Sequence, residues 1–337
     1  VQARRTAGPL SELRVQEEEK GVLTAYLFPG QGAQYVGMAA RLWAESPEAR
    51  RTLEEADDAI GFSLTRIITQ GPDEVLRQTF HTQPAILTAS MACLRAFQAR
   101  TALEPAFVAG HSLGEYTALV AAGALAFADA VRLVHARGRF MEDAVPAGQG
   151  SMAAVLGADE GLLAKLCEEI STQTAPVELA NVNCPGQIVV SGAKSAVDTL
   201  IDRASEAKAR RAIRLDVSGP FHCSLMKPAQ DQLREALADI ALLPPACPVV
   251  VNVTGAAVAD PDHLKTALAR QVSSPVLWEA TVRTLSESGV CVCIEFGPGT
   301  VLSGLVKKTA RDLRVLHVED PESLEQTLTA LEQEVGA

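Results

Sequence analysis

Short apolar runs alternate with longer helical stretches through most of this chain. Parallel neighbours need a crossover connection, usually a helix, so this alternation predicts a parallel α/β sheet. The first run, Val22 to Phe28, ends at Pro29-Gly30 and reads as a buried strand followed by a loop. Helical patterns follow over about 35–60 and 82–99. A second short strand covers Ala106 to Gly110, with helices over Leu113 to Gly123 and Phe127 to Ala144.

Near residue 150 the order changes. Strands over Ser151 to Leu156, Val177 to Ala180, Gln187 to Ser191 and Ala212 to Val217 are joined by helices over Asp159 to Ile170 and Ala193 to Ala207. This β-α-β-β-α-β order is that of a ferredoxin-like unit. Helical and strand patterns then resume: a helix over about 222–241, a strand over Val249 to Asn252, and helices near 261–272 and 276–287. A buried strand at Gly289 to Phe296, a helix from about 300, a strand over Arg314 to Val318 and a helix from Pro321 complete the pattern. The expected fold class is α/β: a large hydrolase-like domain with a parallel sheet (22–149 and 218–337) and an inserted ferredoxin-like subdomain (150–217). Residues 1–21 are polar and read as a linker or N-terminal extension.

Composition narrows the function classes. With 30 Lys and Arg against 41 Asp and Glu, the chain carries a formal charge of −11, a poor match for the phosphates of nucleic acid. No apolar run reaches the ~20 residues of a membrane helix, and the N-terminus lacks the apolar centre of a signal peptide. The seven cysteines include no C-x-x-C pair, so reduced thiols and a cytoplasmic location are expected. Cys291 and Cys293, two apart, should share one face of a buried strand.

Gly110-His111-Ser112-Leu113-Gly114 is a G-x-S-x-G string between a predicted strand and a predicted helix, the context of a nucleophile elbow. The helix start would present the Leu113 N–H to an oxyanion beside Ser112; a capping serine with incidental glycines is the bland alternative. A serine nucleophile needs a base. Of six histidines, His222, in a loop returning from the inserted unit, is modestly preferred. Pro29-Gly30-Gln31-Gly32 matches no nucleotide motif; it is either a plain turn or a source of a backbone N–H at Gln31. Arg137, within His135-Ala136-Arg137-Gly138-Arg139, either faces solvent or clamps a carboxylate.

Taken together, the strings LFPGQGAQ, TQPAILTAS, AGHSLGEY, AVRLVHARGRFM, NVNCPGQIVVSG, GPFHCSLMKPA, RQVSSPVLW and EFGPGTVLSGL resemble, in order and spacing, the malonyl-CoA:acyl carrier protein transacylases and the related acyltransferase domains of polyketide synthases. The likeness runs from about residue 23 to about 333. It implies a ping-pong transfer with Ser112 as nucleophile and His222 as base, the imidazole oriented by a main-chain carbonyl at the position matching Gln271. It further implies an oxyanion hole from the N–H groups of Gln31 and Leu113, and Arg137 as the partner of the malonyl carboxylate. Phe221 and Leu113 match members selective for malonyl over methylmalonyl. Arg210, Arg211 and Asn183 match positions near CoA and the carrier, with Asn181 in the same loop at the cleft mouth. Gln34, Glu115 and Ser191 also fall in these strings, without an assigned chemistry. The resemblance implies malonyl-CoA as substrate, phosphopantetheinylated acyl carrier protein as partner and no bound cofactor or metal; a monomer is the default expectation, since the sequence itself says nothing firm about oligomeric state. It leaves open fatty acid against polyketide synthesis. The missing initiator Met suggests an excised domain, whereas the likeness to the discrete enzyme points to a free-standing one. The rival readings are a serine acyl hydrolase, with Asp216 as the acid behind His222, a transacylase for another acyl-CoA, and a non-catalytic module that only docks a carrier protein.

Overall fold

The computed structural model describes residues 23–335, so the predicted N-terminal extension lies outside the described residues. Two sheets organise the chain. The larger has six strands in the order β10-β9-β1-β2-β7-β8: β1 Thr24–Phe28, β2 Phe107–Gly110, β7 Val249–Val250, β8 Ala257–Val258, β9 Val292–Phe296 and β10 Arg314–Val318. All its pairings are parallel except that of β7 with β8. β1 lies inside this sheet and every residue of it is buried, which explains why its sequence is mostly apolar and does not alternate.

The smaller sheet is antiparallel, in the order β4-β5-β3-β6, from β3 Gly150–Leu156, β4 Val177–Cys184, β5 Gln187–Ala193 and β6 Arg211–Arg214. Its helices, Glu160–Ile170 and Lys194–Arg203, contribute Leu163, Leu166, Val197 and Leu200 to a core separate from those around the large sheet. The small sheet is tied along β4 to the segment before the helix Trp278–Glu287, where Val182 N–H donates to the Val276 carbonyl and Val276 N–H to that of Ala180, each at 2.9 Å. The fold is therefore α/β, a mostly parallel sheet with a separate antiparallel one.

Several elements differ from expectation for local reasons. The helix expected over 35–60 is two, Ala40–Glu45 and Pro47–Ile60. Ser46 caps the second by accepting from Ala49 N–H, and Pro47 occupies its first position, where a missing N–H is harmless. β6 stops at Arg214 instead of reaching Val217, because only β3 flanks it and Val217 is exposed. Cys291 is exposed just before β9, whereas Cys293 is buried within it, so the two do not share a buried face. Among the described residues no helix is long and apolar enough to cross a membrane.

Candidate active site

The strand β2 runs into a sharp turn and then into the helix Gly114–Ala121. Glycine is required on both sides of Ser112. A Cβ on Gly110 would overlap the Gly114 carbonyl, and one on Gly114 would overlap the Phe28 carbonyl of β1. Ser112 itself takes the left-handed conformation, φ 50°, a strained choice for a residue with a side chain. The turn raises its hydroxyl into a cavity of about 110 Å³. The N–H groups of Gln31 and Leu113, both residues lining that cavity, have no hydrogen-bond partner among the described residues.

His222 faces Ser112 across the cavity, with Nε2 2.8 Å from Oγ. It too is left-handed, φ 61°. Its N–H donates to the Val272 carbonyl (3.2 Å), and Nδ1 lies 2.9 Å from the Gln271 carbonyl. Those carbonyls close the helix Pro261–Gln271. A helix C-terminus carries partial negative charge and stabilises an imidazolium by up to about 2 kcal/mol. This carbonyl also fixes Nδ1 as the protonated nitrogen, leaving Nε2 free to accept. Asp216 plays no part here: its carboxylate is fully exposed and lies 3.8 Å from Arg77.

Arg137 reaches the same point from the helix Phe127–Asp143. Gly138 lets that helix pack closely on the helix Thr79–Gln98, since a Cβ there would come within 2.5 Å of Phe80 Cα. Pro84 has no N–H to offer the Phe80 carbonyl, and His135 Nδ1 meets that carbonyl at 2.7 Å instead. The close packing brings Arg137, 1% exposed, against Gln83. One terminal nitrogen donates to Gln83 Oε1 (2.7 Å); the other donates to Gln271 Oε1 (3.0 Å) and Ser112 Oγ (3.1 Å). Every one of these acceptors is neutral.

Burial dominates the electrostatics. It lowers the pKa of Arg137. Burial, with Arg137 close by, pushes His222 down to about 3, so the imidazole is neutral near pH 7. Glu115, buried beneath the elbow, is pushed up to about 7. A neutral imidazole, a hydroxyl held against it, two free N–H groups and a buried cation can activate an oxygen nucleophile, receive an oxyanion and bind an acid group. Among the described residues no three His, Cys, Asp or Glu side chains converge as a metal site requires.

Residues 25–332 match the acyl transferase domain family. Across 310 residues the chain is 46% identical to the malonyl CoA-acyl carrier protein transacylase of Bacillus subtilis, covering 92% of this chain and 98% of the relative. The chain belongs to the malonyl CoA-acyl carrier protein transacylase family. The transacylase of Escherichia coli is 45% identical over 304 residues, 90% of this chain and 98% of that one. Among solved structures, the acyl-carrier-protein S-malonyltransferase of Burkholderia pseudomallei superimposes with a TM-score of 0.88 at 46% identity, over 91% of this chain and 99% of the other. A malonyl-transacylase in complex with its type II polyketide acyl carrier protein superimposes with a TM-score of 0.89 at 42% identity, again over 91% and 99%.

Against this transacylase frame the residues singled out in the sequence fall into three groups. Ser112, His222, Gln31, Leu113, Arg137 and Phe221 line one cavity, with Asn181 on its wall. Gln271 lies beneath it and does more than lend a carbonyl: Nε2 donates to the Ser112 carbonyl (2.9 Å) while Oε1 accepts from Arg137. Asn183 is buried, and its Oδ1 lies 2.9 Å from His111 Nε2, so it ties β4 to the elbow. Arg210 and Arg211 do not line the cavity. Both are exposed at the start of β6, and Arg211 lies four residues, about 13 Å of strand, from the cavity residue Leu215. Sequence reasoning missed Gln83 and Asn252. Gln83 sits in the TQPAILTAS string, but an unbroken buried helix offered no sign that it faced Arg137. Asn252 ended a predicted strand and carried no motif.

Proposed function

We propose that this chain moves a malonyl group from malonyl-CoA to the phosphopantetheine thiol of acyl carrier protein through a malonyl-serine intermediate, serving fatty acid or polyketide synthesis. One observation carries the reading: Arg137, buried and met only by neutral acceptors, lies 3.1 Å from the Ser112 oxygen. No carboxylate is in hydrogen-bond contact with it, the half-protonated Glu115 acting on it only through space, and a buried cation lacking a contacting counter-ion is destabilising. The free carboxylate of a malonyl thioester would supply that counter-ion while its thioester carbonyl approaches Ser112.

In the proposed reaction Ser112 Oγ attacks the thioester carbonyl as His222 Nε2 takes its proton. The oxyanion is received by the N–H groups of Gln31 and Leu113. The C–S bond then breaks, and His222 returns the proton to the departing CoA sulfur. In the second half the carrier thiol gives its proton to His222 and attacks the malonyl ester, and Ser112 recovers the proton as it leaves. The substrate carboxylate would offset the Arg137 charge that disfavours an imidazolium at His222, so substrate and base are electrostatically coupled. The apolar walls, Met141, Met152, Leu215, Val217 and Phe221, favour a short acyl group without an α-branch. Arg210 and Arg211, outside the cavity, are assigned to the phosphates of CoA and the acidic carrier, with Asn183 holding β4 against the elbow through His111.

Intact-mass spectrometry after mixing with malonyl-CoA tests the reading. A malonyl adduct on Ser112, discharged on adding the carrier with its phosphopantetheine, is the expected result. No adduct with malonyl-CoA, or equal loading from acetyl-CoA, would overturn the assignment of the acyl group.

A further inference from the structure

Asn252, two residues beyond β7, has no exposed surface. Each of its polar groups is partnered. Its N–H donates to Glu115 Oε2 (2.7 Å), and its carbonyl accepts from Leu277 N–H (2.9 Å). Nδ2 donates to the Gly110 carbonyl (2.7 Å), while Oδ1 accepts from Ser112 N–H (2.7 Å) and Gln271 Nε2 (3.2 Å). The amide is thereby oriented without ambiguity: its oxygen faces two donors and its nitrogen a carbonyl.

Ser112 and Glu115 stand three apart at a helix start, the spacing of a capping box. There the serine hydroxyl would accept from the helix and the glutamate would accept from the serine N–H. Neither happens. Ser112 Oγ faces His222 and Arg137, and Asn252 stands between Ser112 N–H and the Glu115 carboxylate. We infer that Asn252 is a positioning residue for the nucleophile. By gripping Gly110 and Ser112 at once, it holds Ser112 in its left-handed conformation. It keeps the Ser112 N–H out of the oxyanion site and leaves the hydroxyl free of capping. This role rests on the reading of Ser112 as nucleophile.

The test is the reaction of the full chain with a small fluorophosphonate, in which Ser112 Oγ bonds to phosphorus, fluoride leaves and the proton goes to His222. The probe carries no malonyl group, so a wrong acyl assignment does not touch the result. Asn252→Ala should lower the second-order rate constant about 100-fold, the scale of lost nucleophile alignment. Asn252→Asp keeps an acceptor for Ser112 N–H and, when protonated, a donor for the Gly110 carbonyl. It should recover most of the rate near pH 5.5 and lose it by pH 8, a dependence that a purely structural role would not produce. Rate constants within about threefold of the parent for both variants, or losses confined to the reacting fraction with unchanged rate constants, would overturn the inference. A parent that fails to react at Ser112 would overturn it together with the nucleophile assignment.

Discussion

Asn252 and Arg137 approach Ser112 from two sides, both buried and both in hydrogen-bond contact with it, yet they are partnered in opposite ways. Beneath the elbow, every polar group of Asn252 is matched. At the far end of the cavity, Arg137 keeps its charge against neutral oxygens, and its Nε has no partner among the described residues. That matching fixes Asn252, because moving it would strand several buried groups at once, even though Glu115 Oε1 beside it has no partner among the described residues. An under-matched cation is poised for a ligand that supplies the missing charge. The contrast separates the part that holds geometry from the part proposed to select the substrate.

Removing the cation should have the largest effect. Arg137→Ala is expected to slow malonyl loading about 1000-fold, the equivalent of about 4 kcal/mol for a buried ion pair deprived of one partner. Hydrolysis of simple acyl thioesters should survive. Because Arg137 helps hold the His222 pKa down, the acid limb of kcat/KM should also move to higher pH in this variant. A limb that stays in place would show that burial alone sets the base.

Glu115 probes the holding side. Its folded pKa of about 7 stands above the ordinary 4.5, so the folded state binds the proton more tightly than the unfolded chain. That stabilisation is complete below pH 4.5 and declines as pH rises to about 7, by about 3 kcal/mol in all. Glu115→Gln should abolish this slope, seen as a denaturation midpoint that gains on the parent from pH 5 to pH 8. His222 contributes with the opposite sign, losing stability as pH falls from 6.5 toward 3, so the comparison must be variant against parent at each pH.

Smaller effects belong outside the cavity. Reversing Arg210 and Arg211 to Glu should raise KM for the carrier about tenfold, with a weakened salt dependence, and leave loading from a minimal malonyl thioester unchanged. The smallest change is expected for Asp216→Asn, within about twofold in Ser112 acylation, since its carboxylate is exposed and His222 Nδ1 is engaged by the Gln271 carbonyl instead. A loss of several orders of magnitude there would restore the hydrolase-like triad.

How much was readable in advance follows from how local each feature is. The elbow was legible because its constraint lies within five residues: two glycines that must admit neighbouring backbone, on a strand leading into a helix. The β-α-β-β-α-β order was legible because period and length distinguish short strands from helices. Position 222 was only one of six histidines until motif order singled it out. Its orientation depends on carbonyls about 50 residues away, at the end of a helix whose sequence shows nothing unusual. Arg137 could not be assigned from its own surroundings, since the same apolar helix would suit an exposed arginine. Gly138 and Phe80 decide its burial, and they belong to different helices.

By itself, then, the sequence determined the alternating architecture, the inserted antiparallel unit and the strained serine turn, because propensity, periodicity and glycine sterics act over neighbouring residues. Only the tertiary structure decided which carbonyl orients His222, that Asn252 carries the Ser112 N–H, and that the Arg137 charge is buried among neutral oxygens. Those outcomes depend on hydrogen bonds and desolvation between groups 25 to 140 positions apart, and no local pattern along the chain encodes them.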